Sequence, residues 1–263
     1  MADLDLTFIQ ADPSWENARG NLAALDGIIR TLPETTEIVL LPEMFSTGFT
    51  MDAGALAQPM TGDTVSWMSR TARERNIILT GSVIISEEER FYNRLLWVLP
   101  NGTIGQYDKR HLFAYAGEDA VYTPGHKRLI AQAKGWKICV SICYDLRFPV
   151  WLRQPAAPEQ RYDLLICVAN WPRSRADAWT ALLRARAIEN QCFTAGVNRT
   201  GTDGNGILYA GGSCVFGPGG EALLLAKDKE EALRCTLKKE RISEIRQQFP
   251  FLDDADQFSI LKT

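Results

Sequence analysis

The sequence predicts an α/β protein in which two β-sheets pack face to face between outer layers of helices. Short apolar segments alternate with amphipathic helical ones, which is typical of parallel strands joined by crossover helices. The order strand, helix, strand, helix, strand, hairpin occurs once before Lys109, and a similar order follows Lys137. Because no linker, low-complexity segment or change of composition interrupts these two runs, we expect residues 1–263 to form one domain.

The composition is that of an ordinary globular protein. The 263 residues are 46% hydrophobic and 23% charged, with a formal net charge of −3. Since the charge is nearly balanced, we expect neither a nucleic acid nor an anionic membrane surface as a partner. No apolar run reaches the ~18 residues of a membrane span, and the first five residues lack the basic start of a signal peptide. We therefore expect a cytoplasmic protein.

The six cysteines and two histidines give no sign of a disulfide framework or a metal site. The cysteines form no CxxC pair, and disulfide frameworks are typical of small secreted domains. Only His111 and His126 are present, and no cluster of His, Cys and carboxylate residues has the spacing of metal ligands. We expect free thiols, no metal and no cofactor.

The elements before Lys109 follow from hydrophobic periodicity and turn signals. We expect strands at residues 4–9, 37–42 and 77–85. Apolar residues recur at steps of three and four in the first helix, at Ala18, Leu22, Leu25, Ile29 and Leu32. A second helix is expected from its N-cap Asp63 to Asn76. Asn101-Gly102 between two apolar segments predicts a hairpin.

A long loop at residues 109–126 separates the two halves, and long loops in compact domains are often functional. After it we expect strands at residues 137–142, 164–170, 193–197 and 233–237. A hairpin is expected at residues 211–226, and a charged helix at residues 239–248. Ser174-Arg175-Ala176-Asp177 resembles a capping box with Asp in place of Glu, which predicts the start of another helix.

Residues 137–149 contain the first candidate for chemistry. A strand of alternating apolar and small residues ends at Cys143, and the chain then becomes polar and turn-like. A nucleophile at such a strand end is common in α/β enzymes. A free cysteine is equally compatible with a small buried apolar side chain, so this stretch alone leaves both interpretations open.

Glu43 and Lys109 also directly follow apolar strands. Strand ends of an α/β sheet converge on one edge, where ligands bind. Together with Cys143 these groups suit attack on a carbonyl: the carboxylate can take the thiol proton, and the ammonium and the N–H of Tyr144 can stabilise an oxyanion. Taken singly, Glu43 is better explained as a helix N-terminal or solvated charge and Lys109 as a surface charge; their joint placement is what favours the chemistry.

The segments LPEMF at 41–45, YDKRHLF at 107–113 and ICYDLRFP at 142–149 resemble the signature blocks of the nitrilase superfamily of carbon–nitrogen hydrolases. The resemblance covers almost the whole chain, including residues 169–172 and 185–190. It implies an α-β-β-α sandwich with Glu43 as general base, Lys109 as oxyanion-stabilising cation and Cys143 as nucleophile. Glu118 matches a second glutamate of the family that positions substrate and Lys109.

The run at residues 41–50, the block Asn170-Trp171-Pro172 and the compact length are similar to the omega-amidase branch. Members of that branch hydrolyse the side-chain amide of dicarboxylic monoamides such as 2-oxoglutaramate, through a thioester. Two alternatives stay open, an N-carbamoyl amidohydrolase and an inactive scaffold that binds a partner. An inactive scaffold is expected to lose a member of the triad, and all three are present.

A substrate of this class carries a carboxylate, so we expect a cation in the pocket. We prefer Arg173 as its anchor and expect Arg147 to form a structural ion pair. Further candidates for the pocket are Asn170, Phe45, Tyr115 and Trp171. The resemblance also implies a homodimer packed through the sandwich faces, with residues 241–263 reaching the partner.

Overall fold

The structure, a computed structural model, describes residues 2–155 and 157–260. Met1, Ala156 and residues 261–263 lie outside the described residues, so the ends of the expected domain and of the expected partner-reaching segment do as well. Within the described ranges, no helix is long and apolar enough to cross a lipid bilayer.

The helices and strands of the first half alternate largely as predicted. In chain order they are β1 Leu4–Gln10, α1 Ala18–Thr31, β2 Ile38–Leu40, α2 Ala53–Leu56, α3 Asp63–Arg75, β3 Ile78–Glu87, β4 Arg90–Val98, β5 Ile104–Asp108 and α4 Glu118–Val121. The short helix α4 lies in the long loop, behind a 3₁₀ turn at Ala114–Ala116. The loop thus has structure of its own.

The second half contains shorter strands than the first. Its elements are β6 Ile130–Ala133, β7 Trp136–Ile142, α5 Pro149–Leu152, β8 Leu164–Ala169, α6 Ala176–Asn190, β9 Phe193–Asn198, β10 Thr200–Thr202, β11 Leu208–Ala210, β12 Cys214–Phe216, β13 Ala222–Leu225, β14 Glu231–Leu237 and α7 Glu240–Gln248. Four-residue β6 has too little alternation to be recognised in the sequence and was not predicted. Strands β10 and β11 form a small hairpin of their own.

Two six-stranded sheets of matching topology confirm the predicted fold class. The first has the order β14-β1-β2-β3-β4-β5 and the second β13-β12-β9-β8-β7-β6. In each, three parallel strands (β1, β2, β3 and β7, β8, β9) have antiparallel strands on both sides. Strand β14, from the far end of the chain, completes the first sheet as β6 completes the second.

Period-two alternation builds the four layers. Leu6 and Phe8 of β1 belong to the same buried cluster as Ile138 and Val140 of β7, which fills the space between the sheets. Ile9, on the opposite face of β1, packs in a second cluster with apolar residues of α1 and α3. Sandwiched between helices and a second sheet, the central strands present their carboxyl ends as an accessible edge.

Two helix starts differ from the prediction. Gly62 is the N-cap of α3, and Asp63 is its first helical residue, where its charge still favours the helix dipole. Helix α6 follows a 3₁₀ turn at Arg173–Arg175, and its N-cap has no side-chain hydrogen bond. The capping box predicted at Ser174 is therefore wrong, because the 3₁₀ turn occupies its place.

Candidate active site

Glu43, Lys109 and Cys143 meet at the edge formed by the ends of β2, β5 and β7. The ammonium of Lys109 donates a 2.7 Å hydrogen bond to Oε1 of Glu43. The side chains of Lys109 and Glu43 are 1% and 0% exposed. Because solvent does not reach this ion pair, neither group has water as an alternative partner, and both are held in place.

Glu118 is the second carboxylate on Lys109. Its Oε2 accepts from Nζ of Lys109 at 2.9 Å and from the backbone N–H of Phe113 at 2.6 Å. The neighbouring Asp119 is exposed, so Glu118 rather than Asp119 lies beside Lys109. Burial lowers the pKa of Lys109, but the charges of Glu118 and Glu43 outweigh it and hold that pKa above its ordinary value. Lys109 is thus charged.

Cys143 begins the 3₁₀ turn Cys143–Arg147 with a φ of +44°, a left-handed conformation that is rare for a residue with a Cβ. Its thiol donates a 3.7 Å hydrogen bond to the carbonyl oxygen of Asn170. Burial and the charge of Glu43 raise the pKa of Cys143 well above the ordinary thiol value. The resting thiol is therefore protonated and needs a base. Tyr144 follows in the same turn, with its N–H among those at the turn's amino end.

Asn170 is bound to Glu43 on two sides. Its backbone N–H donates to Oε2 of Glu43 at 2.9 Å, and its Nδ2 donates to the Glu43 carbonyl at 2.7 Å. Asn170 also lines the cavity beside Cys143. The residue therefore links the end of β8 to the carboxylate and to the thiol.

Asn93 and Asp145 are site residues that the sequence reasoning missed. Nδ2 of Asn93 donates to Oε1 of Glu43 at 2.8 Å and to Oε1 of Glu118 at 3.2 Å. The carboxylate of Asp145 accepts from the backbone N–H of Ile142 at 3.0 Å and from the hydroxyl of Tyr107 at 2.7 Å. For Asn93 the available signal was a polar side chain in a largely buried strand; for Asp145 it was a carboxylate two residues after Cys143.

A cavity of about 740 Å³ opens over the thiol. Trp171 and Tyr115 both line it, and the side chain of Tyr115 is 89% exposed at its rim. Phe45 does not, and its predicted place in the pocket is wrong: its ring lies 6.0 Å from Trp67 in the core. The aromatic side chain on that side of the cavity is Phe49, whose ring centroid lies 5.1 Å from Nζ of Lys109.

The arginines are arranged differently from the prediction. Arg173 is 55% exposed, pairs with Asp228 and is absent from the cavity lining, so it is no longer the preferred anchor. Arg147 lines the cavity, and its guanidinium lies 4.8 Å from the Trp171 ring centroid. Among the described residues Arg147 has no ion pair, so the predicted structural ion pair is wrong. Arg175, not predicted, also lines the cavity.

Of the other five thiols, Cys167 contacts the site: its Sγ donates to the backbone oxygen of Cys143 at 3.9 Å. All six cysteines are free, and Cys139, on the strand that leads to Cys143, packs within the core between sheets and helices. In the part of the chain that the structure describes, no group of three or more His, Cys, Asp and Glu side chains could hold a metal ion.

Comparisons with known proteins place this geometry in a family. Residues 6–247 match the carbon-nitrogen hydrolase family model. The chain is 44% identical to "Omega-amidase YafV" of Escherichia coli K12, covering 99% of this chain and all of that protein. It is 31% identical to a 2-oxoglutaramate amidase of Bacillus subtilis, over 95% of this chain and 96% of that one. XC1258 from Xanthomonas campestris, a CN-hydrolase superfamily protein crystallised with an arsenic adduct in its active site, superimposes with a TM-score of 0.96 at 40% identity, over 99% and 100% of the two chains.

Proposed function

Because the chain belongs to the carbon–nitrogen hydrolase family, we propose that it hydrolyses the side-chain amide of dicarboxylic monoamides such as 2-oxoglutaramate and succinamate. The observation that carries the proposal is the buried Glu43–Lys109 pair beside the Cys143 thiol, in a cavity whose lining includes two guanidinium groups without a carboxylate partner among the described residues. Relatives that cover nearly the whole chain are an omega-amidase and a 2-oxoglutaramate amidase, which supports this substrate class.

In the first half of the proposed reaction, Glu43 takes the proton of the Cys143 thiol as the sulfur attacks the amide carbon. The oxyanion that forms is stabilised by the ammonium of Lys109 and the backbone N–H of Tyr144. The protonated Glu43 then gives its proton to the amide nitrogen. The carbon–nitrogen bond breaks, ammonia leaves, and a thioester remains on Cys143.

In the second half, a water molecule enters the position that ammonia has left. Glu43 takes a proton from this water while the water oxygen attacks the thioester carbon. The carbon–sulfur bond then breaks, the thiolate of Cys143 recovers the proton from Glu43, and the product acid departs and loses its own proton to solvent. Glu43 thus serves twice as base and twice as acid, which requires its carboxylate to be held in one place throughout.

For the free carboxylate of the substrate, we propose Arg147 and Arg175 as anchors. Both line the cavity, and each guanidinium lies over an aromatic ring, Arg147 over Trp171 at 4.8 Å and Arg175 over Phe113 at 5.4 Å. In the described part of the chain neither has a carboxylate partner. A guanidinium stacked on a ring keeps its N–H edge available for a bidentate carboxylate. Asn170, Trp171 and Tyr115 are proposed as further walls of the pocket.

A substrate panel tests this function. Ammonia release is measured from 2-oxoglutaramate, succinamate and longer or shorter monoamides, and carbon dioxide release from N-carbamoyl acids. We expect ammonia from the monoamides and little carbon dioxide from the carbamoyl compounds. The reverse pattern would identify an N-carbamoyl amidohydrolase, and inactivity throughout would favour a binding scaffold.

We also propose that the protein works as a cytoplasmic homodimer. Its six free thiols suit a reducing compartment. An exposed apolar group on the surface, formed by Val150, Phe251, Phe258 and Ile260, supports association. The described tail also packs on its own chain, where Arg246 donates to the Tyr162 carbonyl. Light scattering on the eluting protein tests the dimer, and a monomeric mass at micromolar concentration would exclude it; fractionation of cells that make the protein tests the compartment.

A further inference from the structure

Asn93 lies at the centre of the charged group around Lys109. Its side chain is fully buried, and its Nδ2 donates to a carboxylate oxygen of Glu43 at 2.8 Å and of Glu118 at 3.2 Å. Its backbone oxygen accepts the N–H of Lys109 at 3.0 Å. Asn93 thus contacts both carboxylates through its side chain and the backbone of Lys109 through its main chain.

We propose that Asn93 is a positioning residue for the hydrolysis: its amide holds the Glu43 and Glu118 carboxylates around Lys109, so that Glu43 stays directed at Cys143. The expected effect of Asn93 on hydrolysis rests on the function proposed above. Its effect on the arrangement of the buried cluster does not, and that arrangement can be probed without substrate.

The charges of the cluster explain why an amide is needed there. Two carboxylates and one ammonium leave a net negative charge in a place that solvent does not reach. Like charges at this separation favour uptake of a proton, which would disable the base. The NH₂ group of Asn93 offers one N–H to each carboxylate and offsets this repulsion. Because it is neutral, it does so without competing with Lys109 for either carboxylate.

The fold fixes Asn93 at this point. Asn93 lies in β4 opposite Ile84 of β3, and Lys109 directly follows β5, the other neighbour of β4. The hydrogen-bonding register of the sheet therefore sets the position of Asn93 along its strand relative to Lys109. Oδ1 of Asn93 is buried without a hydrogen-bond partner within the described residues, a cost that the two charge-assisted bonds made by Nδ2 offset.

The test compares Asn93→Ala and Asn93→Asp with wild type and with Asn190→Ala. Asn190 is also fully buried: its Oδ1 accepts from the backbone N–H of Gln154 and its Nδ2 donates to the carbonyl of Arg186. It does not line the cavity. For both Asn93 variants we expect kcat to fall about 10- to 100-fold while KM changes less than about threefold. Asn190→Ala is expected to lower the melting temperature with kcat unchanged.

A pH profile separates positioning from mere packing. The titratable groups around the Asn93 amide are Glu43, Glu118 and Lys109, with Cys143 and Tyr122 electrostatically coupled to them. Removing a donor from a carboxylate favours its protonated form, so the acid limb of kcat/KM should move to higher pH in Asn93→Ala. Asn93→Asp keeps the shape of the side chain, so a wild-type kcat in a folded Asn93→Asp protein would overturn the proposal.

Alkylation of Cys143 by iodoacetamide near neutral pH supplies a readout that needs no substrate. We expect its rate in both Asn93 variants to fall about tenfold or more, because Glu43 is no longer held beside the thiol to take its proton. An unchanged rate together with an unmoved acid limb would refute the role of Asn93. Inactivity of the wild type on every monoamide would instead refute the proposed function, while the alkylation rates would still decide the role of Asn93.

Discussion

The ammonium of Lys109 lies 2.7 Å from Oε1 of Glu43, and solvent reaches neither side chain. Glu43 follows β2, a central strand of the first sheet, and Lys109 follows β5, the strand at one edge of that sheet. Because both groups are buried, removal of either partner leaves the other as an unpaired buried charge, which destabilises the fold. Stability and chemistry are therefore coupled at this point.

Replacement of Lys109 by methionine should destabilise the fold and abolish activity. It leaves Glu43 and Glu118 buried without a cation, which costs about 3–5 kcal/mol at neutral or higher pH. Burial already raises the pKa of Glu118 in the folded protein, so its ionised form opposes folding. The deficit should therefore shrink as pH falls and the carboxylates take up protons. Urea unfolding at about pH 8 and about pH 5 measures it.

The exposed Lys127 provides the control for this prediction. Lys127→Met should change the free energy of unfolding by less than about 0.5 kcal/mol at both pH values. A Lys109→Met protein as stable as wild type at the higher pH would contradict the buried ion pair.

Replacement of Cys143 by alanine should reduce hydrolysis to background without loss of the fold. The side chain is small and lies at the edge of the core, so we expect the melting temperature to stay within a few degrees of wild type. Ammonia release measures the loss of hydrolysis, and circular dichroism measures the retention of the fold. Cys235→Ala, in the outer strand β14, should retain full activity; residual turnover in Cys143→Ala would reject the nucleophile.

The thiol of Cys143 should stay protonated across the ordinary titration range of cysteine. Burial and Glu43 raise its pKa well above the value of a free thiol, so the thiolate forms only at higher pH. The ultraviolet absorbance of thiolate, taken as wild type minus Cys143→Ser, should show no step between about pH 6 and pH 9. A step near or below neutrality would mean that the resting enzyme holds a thiolate and Glu43 is not needed to form it.

Removal of Arg147 or Arg175 should weaken binding of carboxylate-bearing amides. Loss of one charge-assisted, bidentate contact is expected to raise KM for succinamate about 10- to 100-fold, with a smaller effect on kcat. A neutral amide of similar size should be affected little. Arg173→Ala is the matched control, because its guanidinium pairs with Asp228 away from the cavity. If Arg173→Ala gave the largest change, the anchor assignment would be reversed.

Much of the fold was predictable because its signals are local. Periodicity located α1 and α3 and most long strands, and the repeated order of elements led to the two sheets. The two predicted helix starts were wrong for local reasons: Gly62, not Asp63, is the N-cap of α3, and a 3₁₀ turn at Arg173–Arg175 takes the place of the capping box before α6. The assignment of β14 to the first sheet depends on pairing between Leu4–Gln10 and Glu231–Leu237, which no local pattern reports.

The candidate site was likewise predictable only in part. Glu43, Lys109 and Cys143 each follow an apolar strand, and that position, with the family resemblance, was sufficient to choose them. Phe45 was misplaced because an aromatic residue near a site looks the same in the sequence whether it faces the cavity or the core. Gly81 of β3 lies so close that a Cβ there would be 2.8 Å from the Phe45 ring, so this side chain is enclosed on the core side.

The sequence by itself determined the fold class, the family and the choice of three candidate reactive side chains, since each follows from a short-range pattern or motif. Only the tertiary structure decided what surrounds them. Asn93 is 50 residues from Glu43, and Asn170 is 127 residues from it, yet both donate to its carboxylate. The choice between Arg173 and Arg147 likewise depended on side-chain direction at the end of a strand. Such contacts arise from sheet pairing and packing, which bring together residues whose spacing along the chain carries no sign of their contact.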